Sequence, residues 1–104
     1  MGQNCIAFAL SLLGFKPQDD ISEGELNAKF RSTAYKPDVL AIIHEETGTV
    51  AHMAVYVGKR KLRERPGIDI APRIVTEKRI VGEYKQITGE LPNNHFRLFK
   101  GRRK

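Results

Sequence analysis

The chain has 104 residues, 40% of them hydrophobic and 29% charged, and 18 basic against 12 acidic side chains give a formal net charge of +6. That length suits one domain, residues 1–104, with a short basic C-terminal tail. No apolar run approaches the roughly 18 residues of a spanning helix, and no basic segment precedes the apolar stretch at residues 5–13, so neither a membrane span nor a secretory signal is expected, and a cytoplasmic setting is the default expectation.

Taken in order, residues 5–13, "CIAFALSLL", are rich in Ala and Leu and predict a helix buried on most sides. Asn4 is its expected N-cap, Gly14 its stop, and Pro17 follows where a helix cannot continue. Ser22 with Glu25 three residues on is a capping-box signal, so a short helix is expected over residues 23–30. Residues 35–38, Tyr-Lys-Pro-Asp, read as a turn or extended entry. The period then changes to that of strands. Residues 39–43, "VLAII", form a short apolar strand. Residues 49–57, "TVAHMAVYV", form the strongest strand, apolar on both faces and therefore expected to be central. Alternation puts Val50, His52, Ala54 and Tyr56 on one face and Ala51, Met53, Val55 and Val57 on the other. Gly58-Lys59 predicts a turn, and residues 60–64 return as a strand that ends at Pro66-Gly67. Residues 73–88 are compatible with a short helix or an edge strand. Pro92-Asn93-Asn94 is a turn, and residues 95–100 alternate as a final strand. The tail "KGRRK" reads as a solvated terminus. The fold class is α+β, with the N-terminal helix packed on a mostly antiparallel sheet.

One cysteine excludes an internal disulfide and a cysteine-rich zinc site, and His44, His52 and His95 lack metal-binding spacing, so no metal or cofactor is expected. Cys5 opens the first helix, where unpaired N–H groups and the positive dipole end favour a thiolate, the nucleophilic form of cysteine. Cysteine is also a frequent packing residue, so a core role stays open. His52 interrupts an apolar strand, and a buried imidazole needs hydrogen-bond partners. The small Ala54 on the His52 face would let helix 5–13 approach closely and bring the thiol beside the ring. A Cys-His pair works when a third polar group orients the ring. Glu64, on the returning strand, is the candidate: a three-residue loop places it opposite His52, whereas a two-residue loop brings Arg65 there.

"NCIAFAL" followed by "HMAVYVG" resembles the papain-like fold of the NlpC/P60 superfamily and its outlying cysteine-peptidase relatives, over roughly residues 3–67. The resemblance implies a nucleophile at Cys5, a general base at His52 and a third polar residue at Glu64. "NCIA" stands where "DCSG" is usual, and Glu stands where His is commoner. With four residues before Cys5, an oxyanion hole is expected to use the Cys5 backbone N–H with Gln3 or Asn4. The function expected is a cysteine-dependent hydrolase or acyl-transferring enzyme acting on an amide bond, as a peptidase, amidase or deamidase on a peptide or protein substrate. Two alternatives stand beside it. One is a non-catalytic binding module on the same scaffold. The other is polyanion or nucleic-acid contact through Lys59, Arg60, Lys61, Arg63, Arg65 and the basic tail, although no zinc-finger, RNP or helix-turn-helix pattern accompanies them.

Overall fold

The computed structural model describes residues 3–88 and 95–104, with residues 85–88 followed along the backbone only. The turn expected at Pro92-Asn93-Asn94 lies outside the described residues. Helix α1 covers Cys5–Leu12, and its N-cap Asn4 accepts a hydrogen bond from the Ala7 N–H, as the sequence leads one to expect. Gly14, at φ 84°, turns the chain out of the helix in a conformation that favours glycine. Helix α2 covers Glu23–Lys29, with Ser22 accepting from the Glu25 N–H. Strand β1, Phe30–Ser32, follows without a loop, an element too short and too polar to be read from the sequence.

The remaining strands are β2 (Val39–His44), β3 (Val50–Gly58), β4 (Lys61–Glu64), β5 (Arg73–Thr76) and β6 (Phe96–Arg103), and helix α3 (Glu77–Thr88) lies between β5 and β6. The stretch with two readings therefore contains both: a four-residue edge strand and then a helix. Among the described residues the strands form one antiparallel sheet in the order β1-β6-β2-β3-β4-β5. With three helices packed on a six-stranded sheet, the architecture is α+β.

The sheet separates two apolar clusters. On one face Ile6, Leu10, Leu26 and Phe30 pack on Val39, Ala41, Ile43, Met53 and Val55. On the other, Ile80 and Tyr84 of α3 pack on Leu40, Ile42, Ala54 and Leu62. Strand β2 serves both clusters with alternate residues, which is why it is an unbroken apolar run. Each fully buried Leu or Ile here contributes about 1.5–3 kcal/mol.

Two expectations are corrected by this arrangement. Helix α1 does not cover the His52–Ala54–Tyr56 face; it packs on the Met53–Val55 face, and α3 takes the other. The small Ala54 therefore admits α3 rather than α1. Simple alternation also fails at the start of β3. The register slips where Ile42 pairs with His52 but Ile43 with Val50, so Ala51 is an extra residue, a β-bulge. Val50 consequently joins the α1 cluster, and Ala51 packs with the α3 cluster.

The basic tail keeps its last two side chains, Arg103 and Lys104, exposed, but its backbone is not a loose end. It continues β6 as far as Arg103, pairing with β1 and β2. Gly101 is buried, and a β-carbon there would come within 2.6 Å of the Phe99 ring, so this strand position requires glycine. The Arg103 N–H donates to Asp38 Oδ2 at 2.8 Å and its guanidinium to the Leu13 carbonyl at 3.0 Å.

Candidate active site

His52 and Glu64 reach each other across β3 and β4. Val55 pairs with Arg63, which sets Glu64 beside Ala54 and one diagonal step from His52 rather than directly opposite it. The turn is Lys59-Arg60, closed by the Gly58–Lys61 pair, with a second register shift just before it. The loop has two residues, one of the two lengths considered, but the register shift beside it keeps Arg65 from standing opposite His52. A diagonal pair lies within reach of two long side chains. Here His52 Nε2 and Glu64 Oε2 are 2.5 Å apart, with both side chains 3% exposed. That is a short, charge-assisted contact.

Arg73 completes the arrangement from β5. Its Nε and Nη2 donate to Glu64 Oε1 at 3.0 and 2.8 Å, so one carboxylate oxygen takes the arginine and the other takes the imidazole. Glu83 of α3 accepts from Arg73 at 2.8 Å and from Arg79 at 3.2 Å. The result is an alternating chain of charges running from a buried ring to the surface. It satisfies a carboxylate that would otherwise be very costly to bury. Tyr84, also from α3, lies on the imidazole with ring centroids 5.4 Å apart, and its Oη donates to the Ala51 carbonyl at 3.5 Å. Burial, then the neighbouring acidic groups, Glu64 and Glu83 among them, pushes the Tyr84 hydroxyl above its ordinary range, so it remains a neutral donor.

Cys5 is half-buried at the first turn of α1 and packs against the α1 cluster. It approaches the ring over the bulged Ala51, whose carbonyl lies 3.9 Å from Sγ in a long, weak hydrogen bond. The thiol lies near enough to the imidazole to favour its charged form. Yet His52 Nδ1 is buried and has no hydrogen bond of regular geometry. Burial works against a charged His52 ring; Cys5 and then Glu64 outweigh it, and the pKa is pushed up to about 9. Burial likewise works against the Glu64 carboxylate, but His52 and then Arg73 hold its pKa below the ordinary carboxylate value.

The other residues singled out in the sequence have identifiable places. Asn4 caps α1 through Oδ1, and its Nδ2 donates to the Asp19 carbonyl at 2.7 Å. Gln3 Nε2 donates to Ser11 Oγ at 2.8 Å. Both amides thus hold local structure, and each nitrogen carries a second hydrogen. His44 packs edge-on against Phe96, with ring centroids 5.3 Å apart, and Phe96 in turn meets Tyr84 at 6.1 Å. Among the described residues no three His, Cys, Asp or Glu side chains are grouped to hold a metal ion, and no helix is long and apolar enough to cross a membrane.

The basic residues do not gather into one stripe. Arg63 lies over the Phe8 ring at 5.8 Å, and Arg65 bonds to the Gly67 and Ile68 carbonyls. Arg103 is tied to Asp38 and Leu13, whereas Lys59, Arg60 and Lys100 surround a cavity at the far end of β3. Arg73, Glu83 and Tyr84 were not singled out in the sequence. Their roles depend on the β4–β5 register and the docking of α3, and a lone arginine after Pro72 carries no motif. No protein-family model, no curated protein and no solved structure matches the chain.

Proposed function

We propose that the chain is a cysteine-dependent hydrolase or acyl-transferring enzyme acting on an amide bond, with Cys5 as nucleophile, His52 as base and acid, and Glu64 as the residue that orients the ring. The observation that carries this reading is the division of labour on His52. Nε2 is held by Glu64 at 2.5 Å, while buried Nδ1 has no hydrogen-bond partner and a half-buried thiol bears on the same ring. A merely structural buried histidine has both nitrogens satisfied by its surroundings. A ring anchored on one side, with its other nitrogen unbonded and a thiol bearing on the ring, suits proton transfer.

In the proposed reaction the proton of Cys5 resides on His52, and the thiolate adds to a substrate carbonyl carbon. The oxyanion faces the helix terminus, where the Cys5 N–H is the nearest backbone donor. Collapse of the tetrahedral species breaks the carbon–nitrogen bond, and His52 gives its proton to the departing amine. The acyl group, now a thioester on Cys5, passes to water or another nucleophile that is deprotonated by the same ring. Glu64 stabilises the imidazolium and Arg73 keeps Glu64 ionised. The placement of a thiol at the start of a helix, a histidine on a central strand and a third polar residue on the next strand supports a papain-like, NlpC/P60-like scaffold. Peptide and isopeptide amides are the first substrates to try, followed by side-chain amides.

The test is covalent labelling by an activated acyl donor, with the adduct located by mass spectrometry, alongside turnover of a panel of peptide amides. The wild type acquires the acyl group on Cys5, Cys5→Ala acquires none and retains its fold, and His52→Ala labels about 100-fold more slowly. Turnover by a folded Cys5→Ala protein sinks the mechanism. A thiol that is inert in the wild type moves the chain to the non-catalytic binding reading.

A further inference from the structure

We infer that the cavity at the far end of β3 binds a small phosphate-bearing ligand. The cavity has a volume of about 540 Å³ and is lined by Lys36, Lys59, Arg60 and Lys100 against a single carboxylate, Glu77. That carboxylate is already engaged, with Lys100 Nζ at 2.6 Å and Tyr56 Oη at 3.3 Å. Among the described residues, Lys36, Lys59 and Arg60 make no salt bridge. A concave surface bearing a surplus of positive charge focuses its field on anions.

The backbone provides a second, independent observation. Among the described residues, only two that are not glycine have a positive φ: Lys36 at 44° and Arg60 at 58°. Both line this cavity. A left-handed backbone is unfavourable for residues with a β-carbon, and such turn positions ordinarily fall to Gly or Asn. Two unrelated turns, one before β2 and one between β3 and β4, each carry a long cation where glycine would be easier. Strain held at a common rim points to a use for the side chains placed there. The turns are also tied down: the Tyr56 N–H donates to the Asp38 carbonyl at 3.0 Å, and the Glu77 N–H to the Arg60 carbonyl at 3.1 Å. The cations are thus presented from fixed positions rather than from loose loops.

Charge and size select the ligand class. Four cations against one carboxylate call for a multivalent anion, and a phosphate group offers several acceptor oxygens to guanidinium and ammonium donors. The volume falls within the range of small-molecule sites, and the Tyr56 ring supplies a partly apolar wall. Nucleic acid fits less well, because its backbone needs a continuous basic track, and Arg63, Arg65, Arg73, Arg79, Arg97 and Arg103 are engaged with other partners.

Calorimetric titration of the full chain with inorganic pyrophosphate in about 0.15 M salt tests the site, since exposed long-range attraction is largely screened there. Saturable binding of one pyrophosphate is expected, unchanged in Cys5→Ala. Arg60→Gly and Lys36→Gly each weaken it about tenfold or more, while raising Tm because glycine relieves the left-handed backbone. A purely structural role for these residues predicts the gain in Tm with no loss of affinity, and that result overturns the proposal. Absence of saturable binding overturns it too, as does an oligonucleotide that binds far more tightly than pyrophosphate and at several places on the chain.

Discussion

The two ends of β3 organise charge in opposite ways. Near its start, His52 and Glu64 are enclosed by the sheet and α3 with Arg73 at their outer side, and each charge meets its opposite at hydrogen-bond distance. Near its end, Tyr56 borders an open cavity where positive charge exceeds negative. Burial forces the first cluster to be complete, because an unmatched charge in the interior costs several kcal/mol. Exposure permits the second to stay unbalanced, because water screens it until an anion arrives. Glu64 and Glu77 show the contrast most directly. Both hold a cation and an uncharged or titrating ring, but the Glu64 side chain is 3% exposed and that of Glu77 22%.

The sharpest way to break the comparison is to remove those carboxylates in turn. Glu64→Ala leaves His52 and Arg73 without their buried partner and is expected to lower stability by about 3–5 kcal/mol, measured by urea unfolding. A loss below about 1 kcal/mol would mean that water already reaches the pair.

Titration comes next. His52 has its pKa raised to about 9 in the folded chain, so its contribution is fully present below the ordinary value of 6.5 and is lost as pH rises through about 9. The loss is on the order of 3 kcal/mol. Glu64 is shifted the other way: its contribution is present above the ordinary 4.5 and is lost as pH falls through its lowered value. Unfolding free energy should therefore decline on both sides of neutrality, and turnover in the proposed reaction should have its basic limb near pH 9. Stability that stays flat from pH 7 to pH 10 contradicts a charged, paired His52.

Arg73→Met removes the bidentate grip on Glu64 but keeps much of the stem. The side chain is 29% exposed, so a cost of about 1–2 kcal/mol is expected. The distinguishing readout is a rise in the His52 pKa, seen by NMR of the ring, because Glu64 stays ionised and no longer shares its charge with a second cation; a simple packing defect would not produce it. Glu77→Ala is the smallest change, at about 1 kcal/mol or less, because its partners remain solvated. It should also tighten pyrophosphate at the cavity by removing the sole carboxylate there, and weaker binding would reverse the sign assigned to Glu77.

Much of the local structure was legible. Asn4 and Ser22 cap the helices they precede, and Gly14 turns the chain at the end of α1, because caps depend on residues a few positions apart. The strands around residues 39–43 and 50–57 stood out because alternation and branching are properties of short segments. Cys5, His52 and Glu64 were singled out for residue type and place on their elements, but the route by which they meet was not legible. The sequence suggested α1 against Ala54 and Glu64 opposite His52. The structure has α3 against Ala54, a bulge at Ala51 and a diagonal contact.

What the sequence determined by itself was therefore the content of each element: which segments are helical or extended, where they stop, and which residues carry chemistry. The tertiary structure decided which face of β3 each helix covers, that Arg73 and Tyr84 stand with His52, that the basic tail ends a strand lying between β1 and β2, and that Lys36 and Arg60 line one cavity. The physical reason is range. Capping and alternation are settled within a turn or a few residues, whereas register, bulges and helix docking are settled by how two apolar clusters close on a shared sheet.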